Sequence, residues 1–302
     1  MTIFRDRHLQ EFIENVQTSD YDQESVQETL DICAEYINQL EINFLQPSPD
    51  GQHNHIPLDF ILSNLPELHT LRLTYCTKSL GMNFYLGCNT LSKRDVLHLA
   101  RGLSRSHELL HFCLHSTKLS PYQLHPIARN LDRGCHNLTS LALVHCSFGN
   151  EGIRKFLQAC NKESFSTLKI LDLTNNKITA EGALLLSRSL RNLKLEKFIL
   201  RFNPIQSDGA AIIFSLLNYL PIKYLDISCC CICVGITKLF MQLIVENKIL
   251  RYLDVSNNEL NEEFGVQLYK IIGFNKTLQM LDVRNTGLSF TLRNKLRDIL
   301  KQ

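Results

Sequence analysis

Residues 168–176 read Leu168-Lys169-Ile170-Leu171-Asp172-Leu173-Thr174-Asn175-Asn176, and this stretch decides the fold. Alternation through Leu171-Asp172-Leu173 sends two leucines to one side of a short strand and the aspartate to the other. Asn176, three residues on, has an amide that can bond backbone groups left unpaired where the chain turns away. The same spacing recurs both ways along the chain. The second apolar positions are 71, 112, 141, 171, 198, 225, 253 and 281, separated by 41, 29, 30, 27, 27, 28 and 28 residues. The turn position holds Cys76, Thr117, Cys146, Asn176, Asn203, Cys230, Asn258 and Thr286. Eight registers at a near-constant period predict a repeat architecture.

Outward from each turn comes an apolar anchor, namely Phe148, Ile178, Ile205, Ile232 or Leu260. A glycine then opens a helix in four of these repeats, at Gly152, Gly182, Gly209 and Gly235. Apolar or small residues one, four, five and eight places later give each helix one buried stripe, as in Ala183, Leu186, Ser187 and Leu190. The cluster Cys229-Cys230-Cys231-Ile232-Cys233 falls inside this pattern. Zinc sites space their ligands more widely and need a second pair elsewhere. Cys230 therefore reads as a substitute for the turn asparagine, in a turn one residue short; a metal or redox role for the cluster is the alternative.

These residues resemble the ribonuclease-inhibitor-like class of leucine-rich repeats. The resemblance implies an α/β fold, a right-handed horseshoe of about eight repeats with strands on the concave side and helices on the convex side. It covers 67–302, with an earlier start signalled at Leu40-Glu41-Ile42. No single repeat buries its own face, so both ends need caps. Residues 1–66 are expected to form an acidic helical cap, with helices around Leu9–Val16 and Val26–Leu40, a capping box from Ser25 and Glu28, and a polar loop at 46–56. The stretch from Phe290 reads as a closing helix, with Arg293, Lys295, Arg297 and Lys301 solvating its outer face.

Charge divides the chain in the same place. Residues 1–67 carry two arginines against thirteen acids (2 − 13 = −11), and 68–302 carry thirty bases against seventeen acids (30 − 17 = +13), giving the net +2. The first residues, MTIFRDRHLQEFIENV, show no apolar run of a secretory signal, and no apolar stretch is long enough to span a bilayer. Eleven cysteines, an odd number without a paired framework, fit reduced thiols in an intracellular compartment. Neither nucleic acid nor membrane is expected as a partner, since basic residues gather late in helices without interleaved aromatics. No phosphate loop is present in the sequence, and no cofactor is expected.

The concave side can be read by column. After the second apolar residue come Arg72, Cys113, Ala142, Asp172, Ile199, Asp226, Asp254 and Asp282. Flanking columns add His111, His115, Lys197, Arg201, Tyr224, Tyr252 and Arg284. Tyrosines beside paired charges suit a protein-binding surface better than a catalytic pocket, for an open horseshoe lacks a water-excluding cavity. His111, Cys113 and His115 face one way, yet alternate residues on a strand lie roughly 7 Å apart, too far for three to ligate one ion.

The 41-residue spacing holds about thirteen extra residues, mostly 77–90. Leu73-Thr74-Tyr75, then Gly81-Met82-Asn83-Phe84, then Asp95-x-x-x-Leu99-Ala100 resemble the leucine-rich-repeat subunit family of the nexin–dynein regulatory complex. That resemblance implies a non-enzymatic scaffold in the cytoskeleton of motile cilia and sperm flagella, with other subunits of the complex and microtubule doublet components as partners. A soluble inhibitor or regulator of a nuclease or small GTPase is the alternative. Oligomeric state is not legible in the sequence.

Overall fold

A computed structural model of the chain describes residues 27–28, 30–32, 34–42, 57–74, 91–160 and 165–300. The expected helix near Leu9–Val16, Ser25 of the expected capping box, the loop at 46–56 and the insertion at 77–90 lie outside the described residues. Gln27, Glu28, Leu30, Asp31 and Ile32 are helical, with Leu30 buried, but the expected helix does not reach Leu40: Ala34–Tyr36 is a 3-10 turn and Leu40 lies in the first strand.

Nine parallel strands form one sheet in strict chain order among the described residues. They are β1 (Gln39–Ile42), β2 (Thr70–Thr74), β3 (His111–His115), β4 (Ser140–Val144) and β5 (Ile170–Asp172). The rest are β6 (Lys197–Ile199), β7 (Tyr224–Asp226), β8 (Tyr252–Asp254) and β9 (Met280–Asp282). β1 pairs with β2 through Leu40 and Leu71, so the sheet includes the earlier start signalled by Leu40-Glu41-Ile42 and has one strand more than the eight registers. Parallel neighbours need a crossover, and a described helix lies in each. These are α1 (Leu58–Ser63), α2 (Lys93–Leu103), α3 (Pro121–Gly134), α4 (Gly149–Ala159), α5 (Ala180–Leu190), α6 (Gln206–Leu216), α7 (Thr237–Glu246) and α8 (Asn261–Ile271). α9 (Phe290–Leu300) closes the series after β9.

The core lies between sheet and helices. Leu71, Leu141, Phe198 and Leu225 from the strands and Leu99, Ile127, Ala183 and Ile213 from the helices are fully buried. Each such leucine contributes roughly 1.5–3 kcal/mol through removal from water. Phe214, Phe240 and Phe264 stand edge to face at 5.8 and 4.9 Å, tying α6, α7 and α8 together. Helix starts follow local chemistry: Ser92 with Asp95, and Ser120 with Gln123, form reciprocal capping boxes. α2 therefore begins two residues before Asp95, which occupies its third position.

The turn asparagines form a ladder. Asn203 Nδ2 donates to the carbonyls of Leu173 and Leu200, both at 2.8 Å. Its Oδ1 accepts from the backbone N–H groups of Asn176 at 2.9 Å and Ile178 at 3.0 Å. Asn258 does the same between β7 and β8, accepting from Cys230 and Ile232 at 3.0 Å. Cys230 keeps the donor half of the role, its Sγ lying 3.3 Å from the Leu200 carbonyl. Burial pushes its thiol up to about 12, so it stays a neutral donor.

Backbone conformation accounts for the flanking cysteines. The residue before each described turn position is left-handed: Ser116, His145, Asn175, Phe202, Cys229, Asn257 and Asn285 all have φ between 52° and 59°. The residue after it is left-handed at Ser147, Lys177 and Cys231. Cys229 and Cys231 thus hold positions that want an unbranched side chain rather than a thiol. The shortened turn continues as a 3-10 turn, Val234–Ile236, before α7.

The helix-opening glycines are not equivalent. A Cβ on Gly209 would lie 2.7 Å from Ile205 Cβ and 3.2 Å from Ala180 Cα, so helix and anchor meet only without one. On Gly235 the nearest atom would be Cys233 Sγ at 3.9 Å, because the shortened turn shifts this glycine away from its anchor.

Candidate protein-binding face

Side chains that point away from the helices line the open face of the sheet, and strand register sets their rows. One row runs Glu41, Arg72, Cys113, Ala142, Asp172, Ile199, Asp226, Asp254 and Asp282 in unbroken pairing. A second runs Thr70, His111, Ser140, Ile170, Lys197, Tyr224, Tyr252 and Met280. The twelve expected residues fall into two groups. Arg72, His111 and His115 sit on β2 and β3; the other nine run from β5 to Arg284, two residues past β9. Ser140, Ala142 and Val144 of β4 separate them.

The C-terminal group is the denser one. Lys197 Nζ lies 4.4 Å from the centre of the Tyr224 ring, and the Tyr224 and Tyr252 rings are 6.1 Å apart. Arg201 lies 5.0 Å over Phe202. These contacts join cation, aromatic and aromatic across three adjacent strands. Tyr224 is half-buried beneath its neighbours, whereas Tyr252 is exposed.

Every aspartate of the column accepts a bond from the residue two places on. Asp172 Oδ1 takes the N–H of Thr174 at 2.9 Å, Asp226 that of Ser228 at 3.0 Å and Asp254 that of Ser256 at 2.9 Å. Asp282 takes the N–H of Arg284 at 3.0 Å and pairs with its guanidinium at 2.6 Å. Asp226 and Asp282, both expected on the binding surface, are buried. They hold the strand ends, where parallel pairing stops and backbone N–H groups lack partners. Burial, with Asp226 and Asp282 on either side, raises the carboxyl of Asp254 above its usual range.

A leucine-rich-repeat family model matches residues 134–157 and 166–187. The fold is a leucine-rich-repeat solenoid. Among solved structures, similar chains include the tropomodulin C-terminal domain of Caenorhabditis elegans, at 19% identity over 50% of this chain and 91% of that one, with a TM-score of 0.41. Leiomodin-1 actin-binding site 2 shows 16% identity over 59% of this chain and 86% of that one, at 0.35. An internalin of Listeria monocytogenes shows 16% over 95% of this chain and 85% of that one, at 0.42. No curated protein sequence matches the chain.

At the N-terminal end of the solenoid's open face, the rings of His115 and His145 meet edge to face at 5.2 Å. Asn175 Nδ2 lies 2.7 Å from His145 Nδ1. Burial, with His115 and Arg201 nearby, pulls His145 down to about 4, so the ring is neutral at pH 7. Cys113, between Arg72 and Asp172, is pushed up to about 11 by burial. Among the described residues no three His, Cys, Asp or Glu side chains are placed to share a metal ion, and no helix is long and apolar enough to cross a membrane.

Cys233 is the exception in its cluster. It is exposed like Cys231, but Ser207 Oγ lies 3.2 Å from its sulfur, which lowers the thiol below its ordinary value. Sequence reasoning missed His145, Phe202, Met280, Phe290, Arg293 and Arg297 as face residues. The spacing from Tyr252 to Met280 equals that from Leu253 to Leu281, a usable signal for Met280; the other five lie outside the strand columns.

Proposed function

We propose that this chain is a non-enzymatic scaffold that binds other proteins through the C-terminal half of its open sheet face. The contiguous row Lys197, Tyr224, Tyr252 and Met280 carries the proposal: it offers large apolar and aromatic area flanked by charge, uncovered by any other described element. Tyrosines with adjacent charges are the composition of binding hot spots. The carboxylates beside them are engaged in strand-end bonds, which suits a fixed surface rather than proton transfer.

Within that role, the insertion after β2 and its resemblance support membership of the nexin–dynein regulatory complex of the axoneme, in support of ciliary and sperm motility. Affinity purification of the tagged full chain from ciliated cells, followed by mass spectrometry, tests both levels. Recovery of doublet-linking complex subunits with the native chain, and their loss with Tyr224→Ala plus Tyr252→Ala, is the expected result. A transcript confined to cells without motile cilia and absent from sperm would sink the axonemal role. Unchanged recovery with the tyrosine variant would remove the face from the account.

A further inference from the structure

Between β9 and α9, at the last repeat, lies a depression of about 730 Å³. Met280, Asp282 and Arg284 form one side; Phe290, Arg293 and Arg297 form the other. Phe290 is 71% exposed and Met280 54%, so two large apolar side chains stand in solvent at its walls. The sequence placed Arg293 and Arg297 on the solvated outer side of α9, whereas both line this depression.

The three guanidiniums differ in their commitments. Arg284 is held by Asp282, whose two oxygens lie 3.0 and 2.9 Å from its Nε. Among the described residues Arg297 pairs with its chain neighbour Asp298, at 3.9 Å. Arg293 lies 5.9 Å over the Phe290 ring, and its buried Nε has no hydrogen-bond partner. Because that Nε is closed to solvent, a ligand in the depression meets the outer edge of the Arg293 guanidinium. Asp282 offsets one positive charge and leaves two. Guanidiniums match carboxylates in a bidentate fork, and an aromatic wall matches an apolar side chain.

We propose that this depression binds an acidic peptide segment of a partner protein, with a carboxylate on Arg293 and Arg297 and an apolar side chain against Phe290 and Met280. The volume suits a few side chains. The proposal rests on the protein-binding role above and names the chemistry of one partner element.

Fluorescence polarisation with the full chain tests it, using a fluorescein-labelled peptide Glu-Asp-Phe-Glu-Asp. Saturable binding is expected, weakened about tenfold or more by Arg293→Gln with Arg297→Gln, as loss of charge-assisted bonds requires. Phe290→Ala, at an exposed position that leaves folding intact, and a peptide with alanine for phenylalanine should each weaken it several-fold. Equal affinity of the double variant, equal binding of Lys-Arg-Phe-Lys-Arg, or full displacement by millimolar inorganic phosphate would each overturn the proposal, the last by revealing a bare anion site. Absent peptide binding alongside partner loss in the Tyr224 and Tyr252 variant defeats this pocket alone. Retained peptide binding with unchanged partner recovery defeats the open-face role alone.

Discussion

Asn203→Ala offers the sharpest test of how the repeats are joined. Asn203 is fully buried and bonds to both neighbouring repeats. Truncation leaves the Leu173 carbonyl with the Asn176 amide and the Leu200 carbonyl with the Cys230 thiol, so neither is stranded. The N–H groups of Asn176 and Ile178 lose their acceptor, and both residues are fully buried. Two orphaned donors at about 1–3 kcal/mol each put the loss at about 2–6 kcal/mol. Cys230→Ala removes only weak thiol bonds and should cost about 1 kcal/mol. Urea unfolding at pH 7 measures both, with exposed Asn218→Ala as control. Repeat arrays can unfold in parts, so amide exchange at Asn176 and Ile178 should accompany it. A loss for Asn203→Ala no larger than that for Cys230→Ala or Asn218→Ala would refute the ladder.

Three further outcomes follow from the geometry. Gly209→Ala should destabilise by a few kcal/mol through its 2.7 Å clash with Ile205, while Gly235→Ala should be neutral or gain up to about 1 kcal/mol; thermal midpoints of the two variants decide. Cys231→Gly should be neutral or mildly stabilising at φ 58°, whereas Cys231→Val should cost about 1–2 kcal/mol by the same unfolding assay. His145 should make the fold sensitive to acid. Its folded value near 4 lies below the ordinary 6.5, so between these values the unfolded chain binds the proton and the folded chain does not. Stability is then full above about pH 6.5 and falls as pH drops toward 4, and His145→Gln should flatten that part of the profile.

The contribution of Asp172, Asp226, Asp254 and Asp282 shows where sequence reasoning stops. Their column was visible from the period, as were the tyrosines beside it. Their bonds to Thr174, Ser228, Ser256 and Arg284 were not, because the same column position could hold an exposed carboxylate or a strand-end acceptor. Gly235 teaches the same lesson from the other side. It matches Gly182 and Gly209 in the pattern, yet one missing residue upstream moves it clear of its anchor.

Repeat length, strand faces, turn positions and the stand-in role of Cys230 were determined by the sequence alone. All depend on residues within one period of each other, and each repeat restates the rule. The tertiary structure alone decided that Lys197 covers Tyr224, that His115 meets His145 and that Arg293 and Arg297 of α9 line a depression against β9. Those contacts join residues a full repeat or more apart, or a helix to a strand face. Their geometry depends on how the stacked repeats are offset, a quantity that no single repeat encodes.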